Sequence, residues 1–71
     1  MIVLVTGATG GIGRILVRHL SEGGNSVRVL CRRRERGNPF PSGILQVAGD
    51  LLEPATLEGA MVGVDAVLHL A

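Results

Sequence analysis

Four apolar runs punctuate the chain, and the spacing of hydrophobic positions changes between them. Ile2-Val3-Leu4-Val5 is continuous rather than alternating and stops at Thr6-Gly7. That is the pattern of a β-strand covered on both faces, as in a parallel sheet. From Ile12 the period shifts: Ile12, Ile15, Leu16 and Leu20 recur at helical spacing, with Arg14, Arg18 and Ser21 opposite. This predicts an amphipathic helix that ends at Gly23-Gly24. His19 falls within the apolar face and is expected to pack there. Val27–Cys31 predicts a second strand, followed from Arg32 to Gly43 by a loop rich in Arg, Gly and Pro. Ile44–Ala48 predicts a third, weaker strand ending at Gly49-Asp50. Pro54 suits the first turn of a short helix to about Met61, although Gly59 weakens it. Gly63-Val64-Asp65 then turns the chain into a fourth strand, Ala66–Leu70, and the sequence stops one residue later.

Strands separated by crossovers imply an α/β architecture, with a parallel sheet joined by right-handed connections. Such a sheet leaves a long unpaired edge unless further strands cover it. A length of 71 residues excludes a multidomain reading. A chain that stops straight after an apolar strand reads as the opening portion of something longer. Hydrophobic residues make up 46% and charged residues 18%, which excludes a disordered chain. All seven basic residues are Arg, and neither Tyr nor Trp occurs. Chemistry that needs a Tyr–Lys pair, a Schiff-base Lys or a phosphate-binding Lys therefore cannot be carried by these residues alone. The net charge of +1 argues neither for nucleic acid nor for a membrane surface. The single Cys31 cannot form an internal disulfide, and no zinc-binding set of Cys and His occurs. Met1–Val5 is too short for a signal-peptide core, and no apolar stretch is long enough to span a membrane. The expectation is a cytoplasmic protein.

The segment richest in chemistry is Thr6-Gly7-Ala8-Thr9-Gly10-Gly11-Ile12-Gly13, between the first strand and the first helix. A strand-to-helix turn aims free backbone N–H groups and the positive end of the helix dipole at one point. A diphosphate there needs close backbone approach. Glycines at Gly7, Gly10 and Gly13 suit the turn, the approach and the helix–strand packing respectively. A glycine-rich turn with no ligand is the bland alternative, and a motif framed by a buried strand and an amphipathic helix argues against it. The other phosphate-loop class requires a Lys and is excluded.

With these residues in view, the chain resembles the N-terminal part of the short-chain dehydrogenase/reductase superfamily, in its extended or atypical branch. That branch includes NAD-dependent epimerase/dehydratases and NAD(P)H-binding reductases. Thr6–Gly13 matches its Gly-x-x-Gly-x-x-Gly pattern and also fits the Thr-Gly-x-x-x-Gly-Ile-Gly of the shorter branch, so the downstream motifs break the tie. Gly49-Asp50-Leu51 resembles the acidic segment after the third strand, where the Asp carboxylate accepts from the adenine amino group. Val64–Ala71 resembles the fourth strand ending in His-Leu-Ala, where the shorter branch would have Asn-Asn-Ala-Gly. The resemblance covers the whole of residues 1–71 and implies a partial Rossmann fold, a parallel sheet of about four strands truncated before its second half. It implies that Gly7, Thr9, Gly10, Gly11, Ile12 and Gly13 surround the diphosphate. Asp50 and Leu51 would flank the adenine, and Leu70 and Ala71 would lie near the nicotinamide-side ribose. Extended members often have an aromatic where Gly11 stands, with little consequence expected. The family's Tyr-x-x-x-Lys pair and its Ser or Thr partner lie outside these residues, so no catalytic residue is assigned here.

NAD-preferring members usually end the second strand with Asp or Glu, whose carboxylate accepts from the ribose diol. Here Cys31 holds that place and Arg32 follows. A guanidinium welcomes a 2′-phosphate that a carboxylate would repel, so Arg32 and Arg33 favour NADP(H) over NAD(H). Arg34 and Arg36 read better as a solvated loop. Cys31 is most simply a small strand residue. His69, at the cofactor end of the fourth strand, is expected to hydrogen-bond locally, and surface solvation explains Asp65 and Glu58. The leading function is the cofactor-binding part of an oxidoreductase or epimerase/dehydratase acting on a small-molecule alcohol, carbonyl or nucleotide-sugar. Its substrate would be contacted by downstream residues, and the full-length parent could form a homodimer. The alternative is a non-catalytic NADP(H)-sensing regulatory or assembly module. Nucleic-acid binding through Arg32–Arg36 lacks interleaved aromatics, since Phe40 stands alone.

Overall fold

In the computed structural model, which describes residues 1–8, 10–32, 40 and 43–70, the four apolar runs are strands of one sheet. In chain order the elements are β1 (Ile2–Thr6), α1 (Gly11–Glu22), β2 (Ser26–Cys31), β3 (Leu45–Ala48), a single 3-10 turn (Pro54–Thr56), α2 (Leu57–Met61) and β4 (Ala66–His69). The sheet order is β3-β2-β1-β4, and every neighbouring pair is parallel. The chain therefore steps outward from β1 to β3 and then returns across the sheet to the other side of β1. That reversal lies between β1 and β4, the kind of switch point where open α/β sheets form a crevice.

Continuous hydrophobicity in β1 reflects a sheet buried on both faces. Val3 and Val5 face one layer with Val17 of α1, Val27, Val29, Cys31, Phe40 and Ile44. Leu4 faces the other with Leu30 and Ala60 of α2. Leu4, Val5, Val17 and Val29 are the largest side chains wholly removed from water, each contributing roughly 1.5–3 kcal/mol. Phe40, which the sequence reading left in a polar loop, is 6% exposed and belongs to the first layer.

The helix stripe departs from the expected one. The residues of α1 turned to the sheet are Gly13 and Val17, both buried, with Leu20 packed at the edge of the core. Ile12 and Ile15 are 81% and 59% exposed, and His19 is exposed rather than packed. The spacing of 13, 17 and 20 is as helical as that of 12, 15, 16 and 20, which shares only Leu20 with it, and the small residue Gly13 selects the stripe that can approach. A Cβ built on Gly13 would lie 2.6 Å from the Ala8 Cα and 2.8 Å from its carbonyl carbon and oxygen. The helix ends as the double glycine predicts. Gly24 takes φ 87°, the Asn25 N–H donates to the Leu20 carbonyl, and the Gly24 N–H donates to the Ser21 carbonyl, a Schellman closure.

Two polar side chains tie the layers together. Asp65 is not merely solvated: its Oδ2 accepts from the Ile2 N–H at 2.7 Å, while its own N–H donates to the Ile2 carbonyl at 2.8 Å. This pair sets the start of β4 against the start of β1. Arg28 of β2 donates to the Ala60 and Val62 carbonyls at 3.1 and 2.5 Å, satisfying the end of α2, whose last carbonyls have no partner within the helix.

Because backbone rather than a mobile side chain fills the space at position 13, Gly13→Ala is expected to destabilise the protein by about 1–3 kcal/mol. A urea unfolding midpoint unchanged from that of the parent protein would refute the close-packing account.

Candidate functional site

Parallel pairing puts the C-terminal ends of all four strands on one rim. Along it, in sheet order, come Gly49–Leu51 after β3, Arg32 after β2, Gly7 after β1 and Leu70 after β4. The residues that the sequence reading assigned to a cofactor are thus brought together from segments far apart in the chain. Thr9, Arg33 and Ala71 lie outside the described residues, as do Arg34 and Arg36.

At the centre of the rim, Gly7 turns the chain off β1 with φ 74°, a value that favours glycine. Ala8 is buried beneath α1. Gly10 is the N-cap of α1 and its carbonyl accepts the first helical hydrogen bond, from the Arg14 N–H at 3.1 Å. No side chain caps this end. The leading N–H groups of α1 lack acceptors within their own helix and point outward with the positive end of the helix dipole.

The glycines of the turn differ in what the fold demands of them. Gly7 is required by its conformation and Gly13 by its packing. Gly10 has φ −76° and ψ 168°, which any residue adopts, and a Cβ there would meet no described atom within 4 Å. Gly11 has the same open space. Packing among the described residues therefore gives no reason for glycine at Gly10 or Gly11, whereas a group lying against the backbone would. A diphosphate fits that space and those N–H groups. Ile12, assigned to the same wrapping, presents its backbone there and leaves its side chain largely exposed.

On the β3 side, Arg32, Ala48, Gly49, Asp50, Glu53 and Thr56 line an open cleft of about 290 Å³. Gly49 is tightly held: its N–H donates to the Cys31 carbonyl at 2.9 Å, and a Cβ would stand 2.7 Å from Leu30 Cδ1. Asp50 Oδ1 accepts from the Leu52 N–H at 2.9 Å, so one carboxylate oxygen shapes its own loop. Leu51 is 48% exposed beside it. Arg32 is exposed, and Cys31, the last residue of β2, is buried.

On the β4 side, Thr6 is only 3% exposed. Its Oγ1 is hydrogen-bonded to His69 Nδ1 at 2.5 Å, and these two residues face each other in register. The Leu70 N–H donates to the Thr6 carbonyl at 3.0 Å. The end of β4 is thereby fixed beside the glycine turn. The Thr6 partnership was not visible in the sequence, because it joins residues 63 positions apart.

Among the described residues no cluster of three or more His, Cys, Asp or Glu side chains could hold a metal ion. No helix among them is long and apolar enough to cross a membrane.

Comparison with known proteins places this geometry. Residues 7–71 match the NAD(P)H-binding family. The chain is 45% identical over 65 residues to the (4-alkanoyl-5-oxo-2,5-dihydrofuran-3-yl)methyl phosphate reductase of Streptomyces griseus, a match covering 92% of this chain and 23% of the relative. Among solved structures, it is similar to a short-chain dehydrogenase/reductase superfamily protein from Agrobacterium tumefaciens with bound NAD. The identity is 38%, the TM-score 0.77, and the match covers 100% of this chain and 20% of the other. UDP-N-acetylglucosamine 4-epimerase from Bacillus cereus matches at 31% identity and TM-score 0.79, over 100% of this chain and 23% of the other. The chain thus spans less than a quarter of the length of these relatives. With a glycine turn open to a diphosphate at the switch point of a parallel sheet, and with this match over residues 7–71, the chain belongs to the NAD(P)H-binding family of the short-chain dehydrogenase/reductase superfamily.

Proposed function

We propose that this chain holds the adenosine diphosphate portion of NADP(H) for an oxidoreductase or epimerase/dehydratase. The substrate class is a small-molecule alcohol, carbonyl or nucleotide-sugar. The observation that carries this reading is the open space at Gly10 and Gly11, which no packing among the described residues explains. Gly7 and Gly10–Gly13 would cradle the diphosphate through backbone N–H groups. Asp50 would accept from the adenine amino group with Leu51 against the ring, and Leu70 would border the nicotinamide-side ribose. When bound, the dinucleotide supplies the hydride donor or acceptor. The acid–base pair expected of the family would come from outside these residues, which contain neither Tyr nor Lys. The exposed apolar flank of α1 at Ile12 and Ile15 supports residues 1–71 being part of one larger dinucleotide-binding domain.

The preference for the phosphorylated coenzyme rests on the end of β2. A buried thiol stands where a carboxylate would repel a 2′-phosphate, and the next residue, Arg32, lines the cleft. Guanidinium contact with a phosphate is charge-assisted and bidentate. Asp50 and Glu53 line the same cleft, and their negative charge tempers that attraction without supplying a partner for the phosphate.

Three outcomes are expected in the full-length protein. It should bind NADPH more tightly than NADH by fluorescence titration, and Arg32→Ala should erase about tenfold or more of that preference. A variant that kept the preference would remove Arg32 from the specificity assignment. Gly10→Ala should leave unfolding free energy within about 1 kcal/mol of the parent. It should nevertheless weaken coenzyme binding about tenfold or more, because the new methyl occupies the diphosphate's space. Unchanged affinity would overturn the assignment of that space. Finally, NADPH should reduce at least one member of a carbonyl panel, and tight binding with no hydride transfer to or from any alcohol, carbonyl or nucleotide-sugar would favour the regulatory module instead.

A further inference from the structure

The loop that carries Asp50 closes around a hydroxyl six residues further on. Thr56 Oγ1 accepts from the Asp50 N–H at 2.8 Å and lies 2.7 Å from the Glu53 carbonyl and 3.2 Å from the Asp50 carbonyl. A hydroxyl has one proton and two lone pairs. It therefore accepts from Asp50 and donates chiefly to Glu53, with the Asp50 carbonyl as the longer alternative. Around it the backbone closes on itself, with the Glu53 N–H donating to the Asp50 carbonyl and the Thr56 N–H to the Glu53 carbonyl, each at 2.9 Å. The Thr56 carbonyl also stands 3.4 Å from where a Cβ of Gly49 would be, so the segment that ends β3 and the segment that opens α2 abut.

From this arrangement we infer that Thr56 is a positioning residue for base recognition. Its hydroxyl fixes the backbone of Asp50, and hence the carboxylate, at the wall of the cleft both residues line. The inference rests on the reading that Asp50 accepts from the adenine amino group. One carboxylate oxygen is already committed to the Leu52 N–H, and among the described residues the other has no hydrogen-bond partner. A carboxylate restrained at both its backbone and one oxygen offers its remaining oxygen in one direction. It can then distinguish an amino group, which donates, from a carbonyl oxygen, which does not. Without the Thr56 hydroxyl the Asp50 N–H would lose its acceptor, and the loop could exchange that bond for water and drift from the cleft.

The test compares NADPH with its hypoxanthine analogue, in which the adenine amino group is replaced by a carbonyl. Dissociation constants of both would be measured on the full-length protein for the parent, Thr56→Val, Thr56→Ser and Asp50→Ala. The readout is the ratio of the two constants within each protein, so a general loss of folded material cancels. The parent should favour NADPH by about tenfold or more. Thr56→Val, equal in shape but without the hydroxyl, should reduce that ratio to about threefold or less, Thr56→Ser should restore it, and Asp50→Ala should abolish it. A parent that does not discriminate, or an Asp50→Ala variant that still does, would overturn the Asp50 reading and the inference with it. Loss of discrimination in Asp50→Ala but full retention in Thr56→Val would overturn the positioning role alone.

Discussion

The backbone of Ala8 runs so close beneath α1 that position 13 has no room for a side chain. That one contact seats the first turn of the helix against the end of β1. It thereby determines where the outward N–H groups of the helix lie relative to the rim of the sheet. A helix held farther off by a methyl group would still be amphipathic and could still cover the sheet. Its N-terminus would no longer sit directly over the turn that leaves β1. The same approach selects Gly13, Val17 and Leu20 as the buried stripe and turns Ile12, Ile15 and His19 away from the described core.

Around this fixed point, both flanks of the rim are secured by side chains that reach across the sheet or along a loop. At β4 the Thr6 hydroxyl and the His69 ring meet in register. At β3 the Thr56 hydroxyl gathers the Asp50–Glu53 turn. Each is a hydrogen bond of modest net worth, about 1 kcal/mol. Their effect on geometry is larger than that figure conveys, because the first registers β4 against β1 and the second restrains the Asp50 loop before a ligand arrives. Ordering the loop on binding would otherwise subtract from affinity. The cleft on the β3 side sets the single cation Arg32 against the carboxylates of Asp50 and Glu53.

The strands were legible from their apolar runs, which at β1 reflect cover on both faces, while β3 and β4 keep exposed positions such as Leu45 and Val67. The glycine turn was legible because its spacing encodes a close approach. The Schellman stop of α1 was legible because Gly23-Gly24 supplies a positive φ at the required place. What the pattern misplaced was the burial of α1. Hydrophobic spacing weighs Ile12 and Ile15 heavily and Gly13 not at all, yet the smallest residue is the one that approaches most closely. Phe40 was lost for a related reason: Pro and Gly around it signal a loop, and a loop residue can still fill a core. Asp65 was read as a solvated charge, and Arg28 carried no assignment, because their partners, Ile2 and the carbonyls of Ala60 and Val62, are set by tertiary approach.

The division of the glycines carries the argument about function further than the motif does. A Gly-x-x-Gly-x-x-Gly string is compatible with a tight turn alone, and two of its three positions are indeed explained by the fold, Gly7 by its φ of 74° and Gly13 by its contact with Ala8. The middle position is the N-cap of α1, where glycine is accepted but not required. Gly10 has an ordinary backbone conformation and open space where its side chain would be, and it stands at the end of a helix with no side-chain cap. Glycine is itself well tolerated at an N-cap and is better there than alanine, so stability neither demands nor forbids it at this position. The open space is where the proposed diphosphate would lie against the backbone, and it is this space, more than the pattern of letters alone, that supports the coenzyme reading.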